Sequence, residues 1–128
     1  MGFKAALEAK RHELVRAMRA RTGELAIREG GHDPIDQVQS MIRRDETVMI
    51  LHRASRILSD VDAALRAMSE AVYGACGECG GPISLKRLEA IPWASHCVGC
   101  QQFIERRETA QAARPALALR FDEEREAA

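Results

Sequence analysis

The sequence predicts a mainly α-helical protein: an antiparallel coiled-coil hairpin, a small four-cysteine module and a C-terminal helix. Three observations carry this. From Pro34 to about Tyr73 the chain has neither a further proline nor a glycine, and Leu51, Ala54, Leu58, Val61, Leu65, Met68 and Val72 recur at alternating steps of three and four, the signature of a coiled-coil seam. All four cysteines lie between Cys76 and Cys100, as two C-x-x-C pairs. Aromatic residues make up only 4% of the chain, so long helices rich in Ala, Leu, Arg and Glu are favoured over a packed sheet.

The 128 residues suffice for one domain with an extension. Residues 3–29 form the first helix, with Leu7, Leu14, Met18 and Leu25 on one stripe that Arg11 and Arg21 interrupt. Arg16, Arg19 and Arg28 fall on the face expected to meet water. Gly30-Gly31-His32 ends this helix, a glycine past the last turn being free to adopt the left-handed cap conformation. Asp33 then suits the N-cap of the second helix, Pro34 its N1 position, and Asp36 the first turn, where a negative charge meets the positive end of the helix dipole. A helix from Pro34 to Tyr73 would extend about 60 Å at about 1.5 Å per residue, so two such helices joined by a tight turn fold back on one another. Val38, Met41, Ile42, Val48 and Met49 add a broader, less regular apolar face near its start. The hairpin thus covers residues 1–73, with its tip at about 30–36. Because the first helix is the shorter, the end of the second is expected to bury its seam against the cysteine module.

Gly74 ends the second helix and opens that module, residues 74–113. Cys76, Cys79, Cys97 and Cys100 set two knuckles seventeen residues apart, with Gly77, Gly80, Gly81 and Gly99 available for positive φ angles. Four thiolates at this spacing suit one tetrahedral Zn²⁺ with no open position, which is a structural rather than a catalytic site. A disulfide framework or a redox pair fits less well, since nothing indicates secretion and no βαβ pattern flanks either pair. His96 could replace a sulfur, but four cysteines already complete the set. Between the knuckles, Ser84 to Ala90 reads as a short capped helix stopped by Pro92, with Ile83, Leu88, Ile91 and Trp93 as a small core. The second knuckle leads into a helix from Val98 to Ala113, with Phe103 and Ile104 pointing inward, which Pro115 is expected to break; residues 114–128 form a polar tail.

Charge narrows the function. The net charge is zero, and by segment it is +3 over residues 1–30, −2 over 31–73, 0 over 74–100 and −1 over 101–128. No segment concentrates the positive charge that non-specific duplex binding requires. There is no eighteen-residue apolar run and no signal pattern, so a cytoplasmic protein without a membrane span is expected. A closed four-sulfur site also disfavours a metal hydrolase, and metal ligation masks the thiolates that a redox enzyme would need. The sequence reads as a non-enzyme.

The run Tyr73-Gly74-x-Cys76-x-x-Cys79-Gly80-x-x-Ile83-x-x-x-Arg87-Leu88-x-Ala90-x-Pro92-x-Ala94-x-x-Cys97-x-x-Cys100-Gln101 resembles the zinc-finger signature of the DksA/TraR family. Asp33-Pro34-Ile35-Asp36 is similar to the D-P-x-D tip of that family's coiled coil, and the likeness extends over about residues 5–113. The resemblance implies a bacterial regulator, expected to be monomeric, that binds RNA polymerase rather than DNA. Its coiled coil would enter the secondary channel and its tip acids, Asp33 and Asp36, would approach the active site and alter open-complex stability, in the family often with the alarmone ppGpp. Arg53 matches an arginine of the family's ppGpp contacts, but two lysines expected there are Asp60 and Gln101, which implies weakened ppGpp binding through like-charge repulsion and lost charge-assisted bonds. Val38 stands where the family's tip continues with alanine. The competing reading is a zinc module that binds nucleic acid or another protein without acting in the channel. Asp33 and Asp36 also have a purely local role as cap and first-turn acid, worth about 0.5–1 kcal/mol each.

Overall fold

The computed structural model describes residues 2–27 and 33–126. It contains α1 (Phe3–Ile27), α2 (Pro34–Ser69), α3 (Leu85–Ala90) and α4 (Val98–Glu126). Helices α1 and α2 pack against each other as the hairpin. The turn at Gly30-Gly31-His32 and the surroundings of Arg28 lie outside the described residues.

The seam forms as the spacing requires. Leu7, Leu14, Val61 and Ala64 are buried together, and Ala54, Ile57, Leu58, Leu65 and Met68 pack around them. Arg11, which interrupts the α1 stripe, donates from Nε to Asp62 Oδ1 across the hairpin at 2.8 Å. It therefore flanks the seam instead of breaking it, and this pair helps fix the register of the two helices.

Towards the tip the pattern inverts. On the line of the seam α2 carries a half-buried Ser40 and the buried Thr47, whose hydroxyl donates to the Arg43 carbonyl at 2.9 Å. Satisfying that hydroxyl within the helix lets a polar residue occupy a core position at little cost. The apolar residues Ile35, Val38, Met41, Ile42, Val48 and Met49 are instead 50–72% exposed. At about 100° per residue they lie on the opposite side of α2 from Thr47 and Ala54. The apolar face read in the sequence exists, but it faces away from α1.

Helix α2 ends earlier than Gly74. Glu70 is its C-cap, the Ala71 N–H bonds to the Met68 carbonyl (3.2 Å) and the Val72 N–H to the Ala67 carbonyl (2.9 Å). These two bonds form a Schellman ending, with Ala71 at φ 60° in the left-handed position usually held by glycine. An alanine there carries no sequence signal for a stop. Val72, placed in the seam by its spacing, falls beyond the stop and is exposed.

Helix α4 continues past Pro115 to Glu126. Proline at that point removes one backbone hydrogen bond, to the Gln111 carbonyl, and favours a kink, but the helical turns on either side persist. Phe103 does not point inward: it is 63% exposed, with the Arg107 guanidinium 5.9 Å from its ring centroid, whereas Ile104 is half-buried.

Candidate metal centre and hairpin tip

The first knuckle is built by backbone bonds. The Cys76 N–H bonds to the Gly81 carbonyl (2.8 Å), the Gly80 N–H to the Cys76 carbonyl (3.0 Å) and the Ile83 N–H to the Gly74 carbonyl (2.7 Å). Gly80 takes φ 70° and Gly74 φ 88°, conformations that strain any L side chain. Gly77, Gly81 and Gly99 do not use positive φ. At Gly81 the constraint is space, since a Cβ there would sit 3.4 Å from Cys79 Sγ. The second knuckle is the first turn of α4, where the Gln101 N–H bonds to the Cys97 carbonyl (2.9 Å).

These turns bring the four sulfurs of Cys76, Cys79, Cys97 and Cys100 within 4.8 Å of one another, with Cys79 and Cys97 at 3.9 Å. A tetrahedron with zinc–sulfur bonds of about 2.3 Å has edges of about 3.8 Å, so the cluster fits one Zn²⁺. The protonation of the set is uneven. Backbone N–H groups of Cys79 and then Cys97 stabilise the Cys76 thiolate and lower its pKa to about 6, while hydrogen bonding with Cys97 and then Cys79 pushes Cys100 up to about 12. Four adjacent sulfurs cannot all be anionic without a cation between them, and a divalent ion supplies it. His96 is outside the set: its Nδ1 lies 3.0 Å from the Ser95 hydroxyl. The site is closed by protein ligands and holds the fold.

Around it, Cys76, Ile83 and Leu88 form the module core, joined by Phe3, Tyr73 and Ala94. Helix α3 is capped as predicted, Ser84 Oγ accepting from the Arg87 N–H at 3.2 Å, and Arg87 Nε donates to the His96 carbonyl at 3.0 Å. Trp93 packs not over the metal but on the hairpin core, with Lys10 Nζ 5.5 Å from its ring centroid. Tyr73 belongs to both cores. Its ring lies 5.7 Å from that of Phe3, tilted by 47°, and its hydroxyl donates to the Pro92 carbonyl at 2.7 Å. The end of the hairpin meets the module through these residues and Met68, whereas Val72, the last residue of the expected seam, stays exposed. Phe3 and Lys10 carried no functional signal in the sequence because their roles depend on contacts across elements, and Tyr73 stood out there only as the first residue of the zinc-finger signature.

At the other end, Asp33 is the N-cap of α2: its carboxylate accepts from the Ile35 N–H at 3.1 Å, and its carbonyl from the Gln37 N–H at 2.9 Å. Pro34 occupies the first turn and Asp36 is the first-turn acid. Both carboxylates are exposed. Arg53 lies midway along α2 in a shallow groove of about 770 Å³ with Val48, Met49, His52, Arg56, Ile57 and Asp60. Asp60 also lines a second cleft, of about 290 Å³, with Arg87, Gln101 and Glu105. Positions 60 and 101 thus come together, but as an aspartate and an amide beside a glutamate. Partial burial raises the Asp60 pKa, offset in part by Arg56 and His96. No helix among the described residues is long and apolar enough to cross a membrane.

A coiled-coil hairpin locked to a four-cysteine zinc finger defines a narrow class of proteins, and the comparisons agree. The model of the prokaryotic dksA/traR C4-type zinc finger matches residues 72–106. The RNA polymerase-binding transcription factor DksA of Caulobacter vibrioides is 36% identical over 107 residues, covering 83% of this chain and 75% of that one. The DksA of Salmonella typhimurium is 31% identical over 109 residues, covering 83% and 71%. Among solved structures, transcription factor DksA2 from Pseudomonas aeruginosa superposes with a TM-score of 0.69 at 32% identity, over 84% of this chain and 83% of that one. The chain belongs to the DksA/TraR family, as a DksA-like paralogue.

Proposed function

We propose that the protein is a transcription regulator that binds RNA polymerase, inserts its hairpin through the secondary channel and brings Asp33 and Asp36 near the active site. The observation that carries this reading is the exposed acidic tip, held at the far end of a hairpin whose base is locked to a metal-stabilised module. Asp33 has one oxygen engaged in capping, and Asp36 has no hydrogen-bond partner among the described residues, so both charges are presented to a partner. The polymerase-binding names of the relatives support the same partner. The protein acts in the cytoplasm as a monomer, without enzymatic activity of its own and without sequence-specific DNA contacts.

ppGpp contributes weakly in this reading. Arg53 remains available to a polyphosphate, but Asp60, shared by the groove and the neighbouring cleft, and Glu105 opposite it repel one. The test is the lifetime of open complexes on a ribosomal RNA promoter, with purified polymerase, with and without ppGpp, for wild type and for Asp36→Asn. A changed lifetime that Asp36→Asn abolishes, with little further effect of ppGpp, is the expected result. An unchanged lifetime with polymerase bound would leave the binding and remove the channel mechanism.

A further inference from the structure

Among the described residues neither α3 nor α4 packs along the hairpin. The module is held there by a few side chains, and these differ in what they can fix. Tyr73 follows closely on the C-cap Glu70, so its bond to the Pro92 carbonyl and its contact with Phe3 restrain the point where the chain itself crosses. A restraint at the crossing point limits swing only weakly. Trp93 supplies a second one, carried by the loop after α3. It packs on the hairpin core and has Lys10 Nζ of α1 5.5 Å from its ring centroid. We propose that Trp93 is a positioning residue: its indole sets the angle between hairpin and zinc module, and through that angle the place where Asp33 and Asp36 come to lie. The consequence for the tip rests on the polymerase reading; the angle itself does not.

The space around the indole supports this role. Two clefts open between α2 and the module, and Trp93 lines both. One, of about 300 Å³, has Ala63, Ala64 and Ala67 on its hairpin side. In the other, of about 290 Å³, Asp60 faces Arg87, Gln101 and Glu105. With alanines and one acid lining these clefts, α2 offers no large side chain there that would hold the module at its distance. Close packing is what resists movement in an interior, and on both sides of Trp93 it is missing. Truncating the indole would join the two clefts and leave the module room to rock towards α2.

A small swing at the base is magnified at the tip. Helix α2 has 36 residues, about 54 Å at about 1.5 Å each, so a rotation of about 10° moves its start by about 9 Å. With the module held on the outside of polymerase, that displacement takes the acids away from their target. The zinc-finger signature leaves position 93 open between Pro92 and Ala94, so the angle is adjustable there without touching a metal ligand.

The experiment uses the full zinc-loaded chain, with encoded spin-label amino acids replacing Gln37 and Glu89 so that the cysteines stay untouched. Distances between the labels are measured by pulsed electron resonance without polymerase. Wild type is expected to give one narrow distribution and Trp93→Ala a displaced one, several-fold broader, with zinc content and helical signal unchanged. Trp93→Phe should restore most of the wild-type distance. Lys10→Met should give a smaller shift and Lys10→Arg none. A wild-type distribution in Trp93→Ala would overturn the inference. Should Trp93→Ala lose zinc or helix, wild-type distributions in both Trp93→Phe and Lys10→Met would overturn it as well. With polymerase, Trp93→Ala is expected to bind but to lose most of the effect on open-complex lifetime, and Trp93→Phe to recover it. A full effect from Trp93→Ala despite a shifted distance would overturn the link to the tip. A wild type that binds without any effect would remove the channel reading, and the distances would still decide the angle.

Discussion

The two halves of the hairpin are built on opposite plans. At the base, apolar side chains face inward: Leu7 and Val61 are fully buried, and the seam continues through Met68 to Tyr73 and Trp93, where it meets the zinc module. Towards the tip, α2 turns Ser40 and Thr47 inward and Ile35, Val38, Met41, Ile42, Val48 and Met49 outward. Burial at the base supplies stability, whereas the tip half leaves its apolar residues and its acids exposed. One helix therefore buries its apolar side chains at one end and presents them to solvent at the other.

The largest break in this comparison comes from the metal. Structural zinc sites contribute on the order of 10–16 kcal/mol in isolated peptides, and the base of the hairpin borrows order from the module through Tyr73 and Trp93. Cys76→Ser is expected to abolish zinc retention, measured by metal analysis after dialysis, and to lower the melting temperature of the helical signal. An unchanged melt would show that the base does not depend on the module. The next effect contrasts the halves directly. Leu7→Ala is expected to destabilise by about 2–5 kcal/mol, the usual cost of emptying a buried leucine site. Met49→Ala, at an exposed position, is expected to fall within about 0.5 kcal/mol. Equal losses in denaturant unfolding would contradict the division. The smallest effect lies at the joint between hairpin and module. Ala71 holds a left-handed conformation that costs a non-glycine residue about 1–2 kcal/mol. Glycine relieves that strain but has more backbone freedom to lose, so Ala71→Gly is expected to stabilise by up to about 1 kcal/mol. A loss of stability would mean that the alanine methyl is needed there.

Much of this was legible in the chain. The cysteine spacing gave the metal cluster because ligand geometry is local to two turns. Leu51 to Met68 gave the seam because its period is sustained, and Asp33-Pro34 gave the start of α2 because caps are written in adjacent residues. What the sequence hid depended on distant contacts or on exceptions to local rules. The apolar run from Val38 to Met49 announced a face but not its direction, which is set by the phase of a seam established further along the helix. Ala71 ends α2 without the glycine that would signal it, and Pro115 does not end α4. Trp93 groups in sequence with Ile83, Leu88 and Ile91, its neighbours along the chain, but in space it packs on the hairpin core. At the site, the ligands and tip acids were visible as motifs. The meeting of Asp60 with Gln101 and Glu105 was not, since it requires α2 and α4 to be placed together.

The claim that the tip is the acting end is tested most directly by site-specific photo-crosslinking to purified RNA polymerase. The probe replaces Gln37 beside the tip acids, or Glu89 on the module as the comparison; both positions are exposed. The account predicts that the probe at position 37 crosslinks to polymerase segments bordering the catalytic centre, and that the probe at position 89 crosslinks only to the outer surface. Crosslinks from position 37 confined to the outer surface, with binding intact, would contradict it.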